Sequence, residues 1–133
     1  MKSQKAQNYG YCREVETPFE ETLTRIRETL QKEGFGVLTE IDMKEKLKDK
    51  LDIEFRKYVI LGACNPRLAH TALQEDLQIG LLLPCNIIVY ESGNGSVVAA
   101  IDAKKMLAVA ENPQLASTAE TVNEKLRSAI DDL

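Results

Sequence analysis

The spacing of apolar residues along this chain changes period several times, and each change marks an expected element. Residues 9–16 alternate, with Tyr9, Tyr11, Arg13 and Val15 on one face and Gly10, Cys12, Glu14 and Glu16 on the other. That period of two predicts a half-buried strand. Thr17-Pro18-Phe19-Glu20 then offers an N-cap, a proline at the first helical position and a capping-box glutamate. Phe19, Leu23, Ile26 and Leu30 follow on one helical stripe, and Gly34 is placed to end that helix in a left-handed conformation. Phe35, Val37, Thr39 and Ile41 alternate again as a second strand. Asp42 is expected to cap a short helix whose Met43, Leu47 and Leu51 make a narrow stripe, the rest of its surface being charged and solvated.

Tyr58-Val59-Ile60-Leu61 is continuously apolar and β-branched, which predicts a strand covered on both faces. It breaks at Gly62, and Asn65-Pro66 opens a helix running to about Asp76. Ile87-Ile88-Val89-Tyr90 is a second strand of this kind, and Ser92-Gly93-Asn94-Gly95 turns the chain into Val97–Ile101 as a hairpin. Asp102 caps a brief helix holding Met106 and Leu107, and Asn112-Pro113 opens a last one striped by Leu115, Ala119, Val122, Leu126 and Ile130. The order β-α-β-α-β-α-β-β-α-α predicts a two-layer α+β fold. Helices between the early strands imply crossovers, and hence a mixed sheet of about five strands with helices packed on it.

At 133 residues the chain is expected to form one domain, 9–133, after a polar tail over 1–8. Apolar residues make up 44% and charged residues 29%, ordinary globular values. The net charge of −4 is spread along the chain without a basic block, so no nucleic-acid partner is expected. The polar N-terminus lacks the apolar core of a secretory signal, and the longest apolar run, Ile79 to Pro84, is too short to span a bilayer. A cytoplasmic location without membrane partners is therefore expected, with Cys12, Cys64 and Cys85 as free thiols.

The candidate chemistry gathers in two phrases, Gly62-Ala63-Cys64-Asn65-Pro66 and Leu83-Pro84-Cys85-Asn86. Cys64 lies just before a helix start, where free N–H groups and the helix dipole favour thiolate. Cys64 and Cys85, with His70 one turn into that helix, are the candidate ligands for a soft metal, Zn²⁺ or Cu(I). Asn65 and Asn86 read as caps or, around a pocket, as amides that orient a small-molecule ligand. Met106 reads as core before it reads as a copper ligand. The two cysteines meet only if their strands are antiparallel, since a parallel pair would set them at opposite ends. Three functions compete: a ligand- or soft-metal-binding protein, a non-catalytic dimeric module with structural thiols, and a thiol enzyme using Cys64 with His70 as base.

Gly62-Ala63-Cys64-Asn65-Pro66, Ala69, Ala72-Leu73 and Leu82-Leu83-Pro84-Cys85-Asn86, followed by Asp102, Met106 and Asn112-Pro113, resemble the family known as domain of unknown function 302. The likeness runs from Tyr11 onward. It implies a small α+β fold and a homodimer, and it carries no activity with it.

Overall fold

The computed structural model describes residues 8–133, so the expected tail over 1–8 lies outside the described residues except for Asn8. The elements form in the expected order. They are β1 (Gly10–Val15), α1 (Phe19–Lys32), β2 (Gly36–Asp42), α2 (Met43–Leu51), β3 (Tyr58–Cys64), α3 (Pro66–Glu75), β4 (Cys85–Ser92), β5 (Gly95–Ile101), α4 (Ala103–Ala108) and α5 (Ala116–Asp131). Two 3₁₀ turns, Leu77–Leu82 and Pro113–Leu115, precede β4 and α5.

The five strands make one sheet in the order β1-β5-β4-β3-β2, and the fold is α+β with helices packed on the sheet. Every paired neighbour is antiparallel, which corrects the expectation of a mixed sheet. The crossover itself exists. β1 and β2 run in the same direction, joined by α1, but they occupy opposite edges with three strands between them. The connections through α2 and α3 each return the chain to the end it left, so they act as long hairpins despite containing helices.

One face of the sheet carries the core. Val59, Leu61, Ala63, Cys85, Ile87, Val89, Val98 and Ala100 pack there against Phe19, Ile26 and Leu30 of α1 and Val122, Leu126, Ala129 and Ile130 of α5. Each fully buried aliphatic of this kind is worth about 1.5–3 kcal/mol. A satellite cluster of Ala72, Ile79, Leu107, Leu115 and Ala119 joins α3, the first 3₁₀ turn, α4 and α5, with Met106 packed against both clusters. The core reading of Met106 therefore holds.

The ends of α1 divide the expectations. Gly34 (φ +87°) ends the helix as expected: Phe35 N–H donates to Leu30 O at 2.9 Å and Gly34 N–H to Gln31 O at 3.0 Å, the two bonds of a Schellman motif. The capping box does not form. Pro18 is the N-cap residue, and the Thr17 hydroxyl instead meets that of Thr22 at 2.6 Å. Glu20 turns outward to Lys57.

Candidate functional site

Antiparallel pairing of β3 with β4 puts the two cysteine phrases at one end of the sheet. Ala63 pairs with Cys85, and Cys64 is the next residue along β3. Paired Cα atoms in such a ladder stand about 4.5–5.5 Å apart, so the two cysteines are close neighbours. Both line a cavity of about 30 Å³ whose walls include Phe35, Leu68, Leu83 and Val122. That volume holds on the order of one or two waters. Pockets for organic ligands start near 300 Å³.

Every thiol here is shifted away from thiolate. Burial, and then the charge of Cys64, pushes Cys85 up to about 11. Burial also raises Cys64, and burial followed by Glu14 raises Cys12. The direction at Cys64 reverses the expectation from its place before a helix. Asn65 Oδ1 accepts from Leu68 N–H at 3.3 Å and so occupies a free end of α3. The cause at Cys64 is burial against the apolar cavity wall, which desolvates a thiolate more than a thiol.

Of the other expected site residues, Asn65 lines the cavity and Asn86 and His70 do not. The Asn65 amide is committed at both ends, capping α3 and donating to Glu33 O at 3.4 Å, which ties the start of α3 to the end of α1. Asn86 is exposed on the opposite side of the sheet, because β4 alternates and Cys85 takes the inward position. His70 is exposed on α3 and is absent from the cavity wall. Among the described residues, no group of three or more His, Cys, Asp or Glu side chains is arranged to hold a metal ion.

A family model described as "Domain of unknown function DUF302" matches residues 11–133. The chain belongs to the DUF302 family. Its fold matches the crystal structure of an uncharacterised conserved DUF302 protein from Bacillus stearothermophilus with a TM-score of 0.87. The two are 32% identical over 94% of this chain and 98% of that one. None of the curated proteins is a match. Membership of DUF302 establishes the fold and leaves the function to the surface.

Three features of this DUF302 chain were not singled out from its sequence. The first is a straight row across the outer face of the sheet. Register places Ile41 beside Ile60, Ile60 beside Ile88, Ile88 beside Ala99 and Ala99 beside Cys12. Ile41 is 40% exposed and the other four are half-buried. One row on, Tyr58 and Tyr90 stack at 5.4 Å, Phe55 tilts against Tyr58 and Arg56 lies over Tyr90. Alternation along each strand would have found this row once the register was known. The second is an apolar groove of about 400 Å³ between α4 and α5. The third is Asn123, buried on α5, whose amide holds the start of α4.

A charged cleft of about 360 Å³ beside α2 satisfies itself. Lys48 pairs with Asp52 and Glu54, and Lys44 donates to Phe55 O. Among the described residues, no helix is long and apolar enough to cross a membrane.

Proposed function

We propose that this protein is a non-catalytic, self-associating module in which two copies bury the outer faces of their sheets against each other. The observation that carries this reading is the apolar row Ile41–Ile60–Ile88–Ala99–Cys12, one residue from each of the five strands. Five strands about 4.8 Å apart and seven residues rising about 3.3 Å each give a face of roughly 550 Å² in projection. A standard interface buries roughly 800 Å² per partner, so the pairing needs surface beyond the sheet itself. Phe55, exposed and tilted against Tyr58, extends the apolar surface on that side. A two-fold pairing of identical faces closes on itself and leaves no row exposed.

Two features argue for structural thiols within this reading. The cysteine cavity is water-sized and apolar, and its thiols are held protonated. A Zn²⁺ or Cu(I) ion at Cys64 and Cys85 has only their shared strand end in its favour, since His70 stands apart. A nucleophilic Cys64 lacks the lowered pKa it would need. All three cysteines are unpaired, which suits a reducing compartment such as the cytoplasm.

Cys12 reports on the face directly, because it ends the apolar row. In the self-associated protein it should alkylate several-fold more slowly than in an Ile60→Lys variant at the same pH. Equal rates in the two proteins, both folded by circular dichroism, would count against the reading.

A further inference from the structure

Self-association through the outer face leaves the two thiols at the shared end of β3 and β4 without a chemical role. Cys85 lies beside Ala63 in the ladder, and Cys64 is one residue further along β3. A paired separation of about 4.5–5.5 Å and a rise of about 3.3 Å set their Cα atoms about 5.5–6.5 Å apart. Cα atoms joined through a disulfide stand about 4.4–6.8 Å apart. Alternation by itself would send the Cys64 side chain to the far face. Cys64, however, is the last residue of β3, where the chain turns into α3 at Asn65, and it lines the same cavity as Cys85. That cavity of about 30 Å³ leaves the Cys64 sulfur room to turn toward its neighbour, and the charge of Cys64 is already felt at Cys85.

The same register excludes the third thiol. Cys12 lies on β1, two strands from β4 and three from β3. With strands about 4.8 Å apart, it stands at least about 9.6 Å from Cys85 and about 14 Å from Cys64, beyond the limit of about 7 Å between bridged Cα atoms. The two neighbouring thiols also differ in access. Cys64 is half-buried and Cys85 only 6% exposed, so a small reagent reaches Cys64 first.

We propose that Cys64 and Cys85 are a redox switch, oxidised by a small organic disulfide to an intramolecular disulfide that locks the start of α3 to the start of β4. With glutathione disulfide as the reagent, the Cys64 thiolate attacks one of its sulfurs, forms a mixed disulfide and releases the first glutathione thiolate. Cys85 loses its proton to solvent and attacks Cys64 Sγ, and the bond to glutathione breaks to release the second thiolate. Two cysteine thiols thus lose two electrons and two protons, and the reagent takes them up as two thiols. Burial holds both cysteines protonated, so the exchange is slow. A stoichiometric switch tolerates that slowness where a catalytic thiol would not. The lock matters at α3, which buries only Ala72 and whose start is tied to the end of α1 by the Asn65–Glu33 bond of 3.4 Å.

Incubation of the intact chain with excess glutathione disulfide, then alkylation and tryptic digestion without reduction, tests the proposal. Segments 58–67 and 68–104 should appear joined, at a combined mass lower by two hydrogens, and dithiothreitol should separate them. Cys85→Ala should instead hold glutathione on Cys64. Amide exchange across α3 should slow several-fold in the oxidised parent, with β5 unchanged. A parent that retains glutathione on Cys64, joins Cys12 to either thiol within one chain or keeps both thiols free would overturn the proposal. So would a Cys85→Ala variant that carries no glutathione, or unaltered exchange across α3. Each readout lies within one chain, so self-association stands or falls separately.

Discussion

At Gly62 the chain has no room for a side chain. A Cβ there would overlap the Thr39 hydroxyl and stand 2.7 Å from Pro84 Cγ, so both cysteine phrases are bound into one close packing of β2, β3 and the start of β4. Gly62→Ala is expected to lower stability by about 1–3 kcal/mol through overpacking, measured as a shifted urea midpoint. An unchanged midpoint would mean that Thr39 and Pro84 can move aside at no cost. Cys85 gives a second test at this scale. Its folded pKa is raised to about 11, so its neutral thiol contributes stability in full below the ordinary thiol pKa of about 8.5. That contribution is lost as pH rises toward 11. Native protein at pH 8 should leave Cys85 unalkylated while urea-unfolded protein reacts within minutes, and mass spectrometry after digestion separates the two. Rapid native labelling would place Cys85 in a more open setting.

At the scale of elements, α4 depends on one residue of a different helix. Asn123 is buried and satisfies both the Ala103 N–H and the Asp102 carboxylate. Asn123→Ala leaves a buried donor unpaired, a cost of about 1–3 kcal/mol, and should speed hydrogen exchange in α4 while α1 and β4 stay protected. Uniform acceleration throughout the chain would instead indicate a purely global effect. Burial alone would raise Asp102, but hydrogen bonds from Asn123 and from the N–H groups of Lys105 and Lys104 hold it below the ordinary aspartate range. Its contribution is therefore present at neutral pH and lost only as pH falls through that lowered value.

The elements themselves were legible in the sequence because period and punctuation agree locally, as at the Schellman turn of Gly34 and the Asn65 cap of α3. Strand pairing was less so. A helical connector such as α3 with its following 3₁₀ turn has enough chain either to cross the sheet or to turn back, and local pattern does not distinguish the two. That ambiguity produced the expectation of a mixed sheet. It also left open whether Cys64 and Cys85 would meet. Their nearness follows from the Ala63–Cys85 pairing, while the size of the cavity between them depends on packing from α3 and α5 that no motif records. The outward direction of Asn86 follows from alternation once Cys85 is known to point inward. The α4–α5 groove could not be read at all, because Lys104 and Glu111 are ordinary surface residues until α5 is placed beside them.

For the whole molecule, the balance of its two sheet faces matters more than any single site. The inner face is sealed by α1 and α5, and the outer face carries an equally continuous apolar row that the described elements leave half-exposed. Monomers seldom expose contiguous apolar patches beyond a few hundred Å², and under the proposed self-association a second copy would cover this face. Introducing a charge at the centre of the row should break the pairing and leave the inner core intact. Sedimentation equilibrium of the parent chain beside Ile88→Lys is the most direct measurement. Self-association through this face requires a parent of twice the 14.9 kDa chain mass and a folded variant at the chain mass itself. A parent that sediments as a monomer at all concentrations, or a variant that remains dimeric, would contradict it.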